Sequence, residues 1–452
     1  MEIDLSAIPM DSPIALAWWF FKNIGWIFPV FLVMYGSILG WQLYIRSLYR
    51  KQRKYILLAV DIPKDNEQTL KAVENFFAHM SGAHQPLKWH HLWWRGEVPD
   101  SFGFEIVSIG GYIQYIIHCV EIYRDFVEAA IYAQYPGAEI SEVEDYTERW
   151  KNVKFPNDKY QLFGTELKLT NKDVYPIITY KEFEDSLSQE LKDPLSGVLE
   201  AMGKIGSEEE LWLQILVTPA DNDWGKAAEP VINKLIGAKT KPKKNLFDYI
   251  FDIPGIVADA ITPAPADGKK PSSAGKEEPN QLLYMTKGEQ ETVAAIQHKS
   301  GKIGFHTRVR WVYIAPKEKY NVYKALHTMY GAFKQYNTLG LNGFKNDSRY
   351  LTAAIVFFKK TRLNIRRNKI LYRYRWRGHW FSPGEYGFIL NTEELASLWH
   401  FPMITVKAPL LSKTEAKKSE PPITLPRETP QIFLEVDSTN KKSGPPNNLP
   451  TK

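Results

Sequence analysis

The chain has 452 residues, of which 13% are aromatic and 24% are charged, and its net charge is +6. This length allows two folded domains in addition to a membrane helix and a tail. The single cysteine, Cys119, excludes an intramolecular disulfide and any metal cluster that needs several cysteines.

An uncharged apolar stretch near the N-terminus predicts a transmembrane helix at residues 24–45. As a helix, the run Ile24–Tyr44 would span about 30 Å, which is the thickness of a bilayer core. Aromatic rings suited to the headgroup level flank or end it: Trp18, Trp19, Trp26, Trp41 and Tyr44. A signal peptide is disfavoured because the sequence has no basic n-region or small-residue cleavage site, and a buried core helix would rarely lack charge for so long.

The basic residues around this span predict its orientation. The juxtamembrane segment 46–54 contains five of them: Arg46, Arg50, Lys51, Arg53 and Lys54. The preceding segment 1–23 has only Lys22. By the positive-inside rule, we expect a single-pass cell-membrane protein with its N-terminus outside and the bulk of the chain in the cytoplasm.

Two glycines in the span, Gly36 and Gly40, form a GxxxG pair. Such a pair allows two membrane helices to approach closely, which makes a homo-oligomer through the membrane helix one alternative. Glycine is also common in membrane helices that do not dimerise, so the monomeric alternative stays open.

Residues 55–150 are predicted to form a first ferredoxin-like domain. The apolar run Tyr55–Ile62 predicts a strand, and the residues from Val73 to Met80 have the spacing of an amphipathic helix. Two strands around Gly110-Gly111 predict a hairpin, and a helix and a closing strand follow. The order strand–helix–strand–strand–helix–strand is that of the split β-α-β arrangement.

Residues 151–407 are predicted to repeat this plan less regularly, as a second α+β domain. Strand–proline–helix units recur after Leu211–Val217 and Val309–Ile314. The lysine- and proline-rich stretch 237–281 predicts an insertion loop, and residues 408–452 predict a disordered tail. The expected fold class is therefore α+β, with one N-terminal transmembrane helix, tandem ferredoxin-like domains and a disordered C-terminal tail.

A basic segment without any acidic residue extends from residue 359 to residue 377. Its members are Lys359, Lys360, Arg362, Arg366, Arg367, Lys369, Arg373, Arg375 and Arg377. The last six residues alternate, which predicts a strand with Tyr372, Tyr374 and Trp376 inward and the arginines outward. Such a face could bind DNA, bind anionic lipid or be a solvated surface without a ligand, and all three alternatives stay open.

The sequence lacks the common motifs for catalysis. It contains no GxxxxGK[ST] phosphate loop, no HExxH metal motif and no nucleophile elbow. The pair His90-His91 lies in a tryptophan-rich segment and lacks the spacing of a metal site. We therefore expect no enzymatic activity, no cofactor and no metal.

Two segments resemble known protein families. The passage GFILNTEELASLWHFP at residues 387–402 predicts a short strand, a capped helix and a stop at proline. It is similar to a passage that closes the N-terminal region of type IV secretion coupling-protein-like DNA-translocase ATPases. Residues 57–67 and 71–79, LLAVDIPKDNE and KAVENFFAH, are similar to an uncharacterised membrane-anchored domain family of candidate-phyla bacteria.

The resemblance covers roughly residues 55–402 and excludes the motor domain, because no phosphate loop is present. It implies a membrane-anchored, non-enzymatic scaffold or adaptor of a type IV secretion/conjugation-like or pilus-like translocation system, with a separate ATPase as partner chain. The alternative is a membrane-tethered nucleic-acid-binding module that uses the basic segment 359–377. No catalytic residue follows from the resemblance.

Overall fold

The computed structural model describes residues 18, 21–22, 25, 27–63, 66, 68–183, 193–237, 285–354, 357–379 and 387–402. The predicted insertion loop lies outside these residues, except for Gly237. The predicted tail 408–452 and most of segment 1–23 lie outside them as well.

Helix α1 extends from Ile27 to Lys51, and within the described residues it is the one helix long and apolar enough to cross a membrane. At about 1.5 Å per residue it is roughly 37 Å long, so it exceeds a bilayer core. Most of its side chains are exposed, whereas Gln42 and Ile45 are buried. The helix thus continues past the predicted end of the span and through most of the juxtamembrane segment.

The remainder of the described chain is a mixed α+β structure around one antiparallel sheet. The strands are β1 Tyr55–Asp61, β2 Phe102–Ile109, β3 Tyr112–Val120, β4 Glu139–Glu142, β5 Tyr160–Leu169, β6 Glu210–Pro219, β7 Gly304–Pro316, β8 Phe344–Asn346 and β9 Phe388–Asn391. The helices are α2 Leu70–Met80, α3 Arg124–Tyr132, α4 Ser196–Gly203, α5 Glu229–Leu235, α6 Lys287–Ser300, α7 Val322–Lys334, α8 Lys359–Trp376 and α9 Thr392–Leu398. The predicted element order of the first half is observed, and Gly110-Gly111 turns the β2–β3 hairpin with positive φ at both glycines.

The strand order is β4-β1-β3-β2-β6-β7-β5-β8, and β9 pairs with β7. The two halves of the chain meet where β2 pairs with β6, from Phe102 opposite Val217 to Ile109 opposite Glu210. Because β2 and β6 each have neighbours on both sides, the two halves share one continuous sheet.

Both faces of the sheet are covered. On one face, α2, α3, α4, α7 and α9 pack over a core that includes Phe77, Phe104 and Trp399. On the other face, α8 packs with Trp150 and Phe155 over a second core around Trp212. Successive side chains of a strand point to opposite faces, so a central strand between two cores is buried throughout. All ten residues of β6 are buried.

The passage at residues 387–402 forms β9 and α9, as predicted. The Asn391 side chain accepts a hydrogen bond from the Glu394 amide, and the Glu394 carboxylate accepts one from the Asn391 amide, which makes a capping box. Every residue of α9 is buried. The passage therefore has a structural role at the centre of the first core.

The prediction of a strand at residues 372–377 is wrong, because α8 is a helix from Lys359 to Trp376. Ile370, Leu371 and Tyr374 have helical spacing and face the sheet. Six alternating residues are too few to outweigh this longer periodicity. Tyr372 and Trp376, predicted to point inward, are exposed on the outer side of the helix.

Candidate membrane-facing surface and buried ionic network

The junction between α1 and the sheet is short and is held by a hydrogen bond, a cation–π contact and ion pairs. Only three residues separate Lys51 from Tyr55. Arg50 donates from Nη2 to the Trp376 carbonyl at 2.8 Å, and its guanidinium lies 4.7 Å from the centroid of the Trp376 ring. Arg53 pairs with Asp100 at 3.5 Å, and Lys54 pairs with Glu121. Of the predicted juxtamembrane cations, Lys51 and Lys54 are exposed, whereas Arg46, Arg50 and Arg53 are half-buried.

Residues 88–96, here called the tryptophan loop, lie against α1. A single π-helical turn at His91–Arg95 builds it, and Gly96 with φ +66° ends the turn. The Trp41 indole of α1 donates to the Trp93 carbonyl at 3.1 Å. A Cβ on Gly96 would lie 2.5 Å from the carbonyl carbon of Ile45, so the backbones approach closely there. Glycine at position 96 permits both the left-handed conformation and this contact.

An apolar groove of about 380 Å³ opens between the tryptophan loop and α1. It is lined by Met34, Ser37, Ile38, Trp41, Trp89, Trp93 and Trp94. Gly36 and Gly40 are exposed on α1, and a Cβ at either would meet no atom of the described residues within 4 Å. At about 100° per residue they lie on a different side of α1 from the groove, so that side is open to a second helix.

The outer side of α8 combines apolar and basic side chains. Ile365, Tyr372 and Trp376 are exposed at spacings of seven and four residues, so they share one face with the exposed Phe358 just before the helix. The Tyr372 and Trp376 rings stack with their centroids 5.7 Å apart. The exposed cations of the segment are Lys359, Lys360, Arg362 and Lys369.

The inner side of α8 covers a polar row that crosses four strands of the sheet. Glu105 on β2 lies opposite Gln214 on β6, which lies opposite Arg310 on β7, which lies opposite Glu166 on β5. All four are buried. Gln214 donates to Glu105 at 2.7 Å, and Arg310 donates to Gln214 at 3.1 Å and to Glu166 at 2.9 Å.

Glu166 is the anion at one end of this row. Its carboxylate accepts from Arg308 at 2.5 Å and from Arg373 of α8 at 3.3 Å, in addition to Arg310. Burial raises the pKa of Glu166, but the charges of Arg310, Arg308 and Arg373 outweigh burial and hold the pKa at about 2. Burial lowers the pKa of Arg310 to about 10, so it remains a cation at neutral pH.

Arg377 forms the other end of the network. Its guanidinium donates to Glu105 at 2.8 Å and to Asp145 at 2.7 Å. Tyr146 donates to the same Glu105 carboxylate at 2.9 Å. Burial opposes the charge of Arg377, but the two carboxylates raise its pKa well above the usual value. Charges with several hydrogen-bonded partners are stable in a buried site where single charges would not be.

The basic segment is therefore divided between structural and exposed residues. Arg373 and Arg377, predicted to project outward, are buried in the network. Arg366, Arg367 and Arg375 are half-buried and donate to main-chain carbonyls of Leu351, Leu162 and Thr147 respectively. Sequence reasoning missed Glu105, Glu166 and Gln214. A signal existed for two of them, since Glu105 interrupts the apolar strand β2 and Gln214 interrupts the apolar run 211–217 of β6.

The candidates for a metal site or a reactive thiol in the described part of the chain are its His, Cys, Asp and Glu side chains. Among these residues, no group of three or more His, Cys, Asp or Glu side chains could hold a metal ion. Cys119 is buried, and burial raises the pKa of its thiol to about 12, so the reactive thiolate is disfavoured. His91 of the tryptophan loop bonds to Glu97, the residue that follows the loop, at 2.7 Å.

Comparison with known proteins identifies a family and leaves the activity open. No curated protein matches the chain. A family model described as a domain of unknown function, DUF8128, matches residues 50–414, from the end of α1 to beyond α9. Because the match covers well over half of the 452 residues, the chain belongs to the DUF8128 family.

Proposed function

We propose that the chain is a membrane-anchored, non-enzymatic scaffold or adaptor that holds its α+β domain at a fixed height against a bilayer. The observation that carries this proposal is the junction at Lys51–Tyr55. A tether would need a flexible linker, but here the apolar helix enters the sheet after three residues, and Arg50 and Arg53 fasten it. A rigid junction suits a protein that positions other components.

The sheet supports a finer assignment, in which each half is a ferredoxin-like unit. The first half has the order β4-β1-β3-β2, and the second has the mirror order β6-β7-β5-β8. In both, the first and third strands of the half are central, as in the split β-α-β plan. We propose two such units, joined edge to edge through β2 and β6, with the domain boundary near residue 150.

The proposed orientation places the N-terminus outside and the α+β domain in the cytoplasm, since the cations follow the span. A reporter that is active only in the cytoplasm should be active when fused after Lys452. The same reporter fused before Met1 should be inactive. Activity of the N-terminal fusion with loss of the C-terminal one would reverse the proposed orientation.

We further propose a separate ATPase as partner, within a type IV secretion/conjugation-like or pilus-like system. The support is the resemblance of residues 387–402, together with the lack of a phosphate loop in the sequence. The detergent-solubilised chain should show no ATP turnover and should co-purify with an ATPase that has its own phosphate loop. Turnover that persists in the isolated chain would contradict the proposal.

The alternative function, nucleic-acid binding, is favoured by one observation: four cations of the basic segment are exposed on α8. If Lys359, Lys360, Arg362 and Lys369 contact phosphates, replacing them with Ser should weaken DNA binding. The log–log salt slope should then fall by about 3 to 4. We expect no such binding, because the exposed apolar stripe of α8 suits anionic lipid better than DNA. Fluorescence anisotropy of labelled DNA, titrated with the full chain in detergent, shows whether the chain binds DNA and whether the four substitutions weaken that binding.

A further inference from the structure

We infer that the tryptophan loop is a second membrane-contact element, which inserts beside α1 into the headgroup–acyl boundary of the leaflet that faces the α+β domain. This inference rests on the proposed membrane anchoring by α1. It adds a binding site for bilayer lipid that is distant in sequence from the span.

The tryptophan loop lies beside the part of α1 that is proposed to enter the membrane. Gly96 approaches Ile45, whereas Trp93 bonds to Trp41, so the loop runs along α1 toward its N-terminus. The groove reaches Met34, which is about 10 Å further along the helix than Trp41. If α1 spans a bilayer, the exposed side chains at this height face lipid and not water.

The chemistry of the loop fits that height. Trp89 and Trp94 are each 69% exposed although they are large apolar residues. Tryptophan settles at the membrane–water boundary because its ring is apolar and its indole N–H is polar. Lys88 and Arg95 are exposed on the same loop, and Arg95 lies 3.6 Å from Glu97. Cations near a membrane surface are attracted to anionic lipid.

The position of the tryptophan loop also indicates where the headgroup–acyl boundary crosses α1. Irregular backbone is not tolerated in the hydrocarbon core when it faces lipid, so the loop backbone must lie at or outside the boundary. The headgroup–acyl boundary therefore crosses α1 near Trp41. The part of α1 beyond it then lies in the headgroup region and against the domain, which agrees with the burial of Gln42 and Ile45.

Site-directed spin labelling of the full chain in lipid nanodiscs tests this inference. The only native cysteine, Cys119, is buried, so an introduced cysteine labels selectively. The variants are Trp94→Cys in the loop, Val33→Cys in α1 and Tyr323→Cys on α7, and the replaced side chains are similarly exposed, at 69%, 69% and 68%. The readout is the ratio of accessibility to oxygen, which enters lipid, over accessibility to a water-soluble nickel complex.

We expect the ratio at positions 94 and 33 to exceed that at position 323 several-fold. A ratio at position 94 equal to that at position 323, with position 33 still high, would overturn the loop insertion and leave the anchor intact. A low ratio at position 33 would overturn the anchor itself. Shielding of position 94 from both reagents would show that protein, such as a second copy of the chain, covers the loop, and it would also overturn the inference.

Lipid quenching provides a second measurement with a different variant. Trp89→Ser/Trp94→Ser removes two exposed rings and should leave the fold intact. The difference in tryptophan fluorescence between wild type and this variant is the emission of Trp89 and Trp94. Lipids brominated near the headgroup should quench this emission. If brominated lipids quench none of it, the rings are in water and the inference fails.

Discussion

Replacing Glu166 with Gln should destabilise the protein by about 3 to 5 kcal/mol. The substitution keeps the shape of the side chain but removes the negative charge that Arg308, Arg310 and Arg373 share. Arg308 and Arg310 belong to the sheet and Arg373 to α8, so buried positive charges would then repel each other between the helix and the sheet. Urea unfolding of the full chain in detergent measures the change.

Glu148→Gln is the matched control, because the same chemical change is made at a half-exposed carboxylate. Glu148 pairs with Arg375 at 3.6 Å and with Lys151 at 3.0 Å. Exposed pairs of this kind contribute about 0 to 1 kcal/mol. Equal losses from the two substitutions would show that the Glu166 network does not carry the stability assigned to it.

The same network gives the unfolding free energy a defined pH dependence. The pKa of Glu166 is about 2 in the folded protein, whereas a free glutamate has a pKa of about 4.3. A lowered folded pKa means that the stabilisation is complete above the unfolded pKa and is lost as the pH falls through the folded pKa. Wild type should therefore lose on the order of 3 kcal/mol more than Glu166→Gln between pH 5 and pH 2.

Replacing Trp399 with Ala should cost about 3 to 5 kcal/mol, because it leaves a large cavity in the first core. Trp399 is only 1% exposed, and its ring centroid lies 4.9 Å from that of Phe104 and 5.0 Å from that of Phe401. Thermal unfolding of the full chain in detergent should show a lower midpoint. Trp94→Ala is the control, since the Trp94 ring is exposed and its removal leaves no cavity in a core. A Trp399→Ala midpoint close to that of the control would contradict the central role of α9.

The sequence predicts well where patterns are local. The hairpin at Gly110-Gly111 follows from two glycines between apolar runs, and α9 follows from Asn391 three residues before Glu394. The contacts of the basic segment could not be predicted in the same way. The partners of Arg373 and Arg377 are Glu166 and Glu105, which are more than 200 residues away in the chain.

The tryptophan loop shows a second limit of the sequence. Trp93 and Trp94 are visible in the sequence, but Trp41 and Trp93 are 52 positions apart. No periodicity in either segment predicts that they meet. The contact follows from the path of the chain after α2, which brings the loop back to α1 before β2 begins. Only the folded arrangement makes the loop a candidate for lipid contact.

If α1 spans a bilayer as proposed, the short junction between α1 and β1 couples the orientation of the sheet to that of the helix. The tilt of a membrane helix depends on how the length of its apolar stretch compares with the local hydrocarbon thickness. Because α1 enters the sheet after three residues, such a tilt rotates the sheet as well. The far edge at β8 is six strand spacings, or roughly 29 Å, from β1. A tilt of about 10° would move that edge by about 5 Å, so a change in bilayer thickness would become a displacement of the edge.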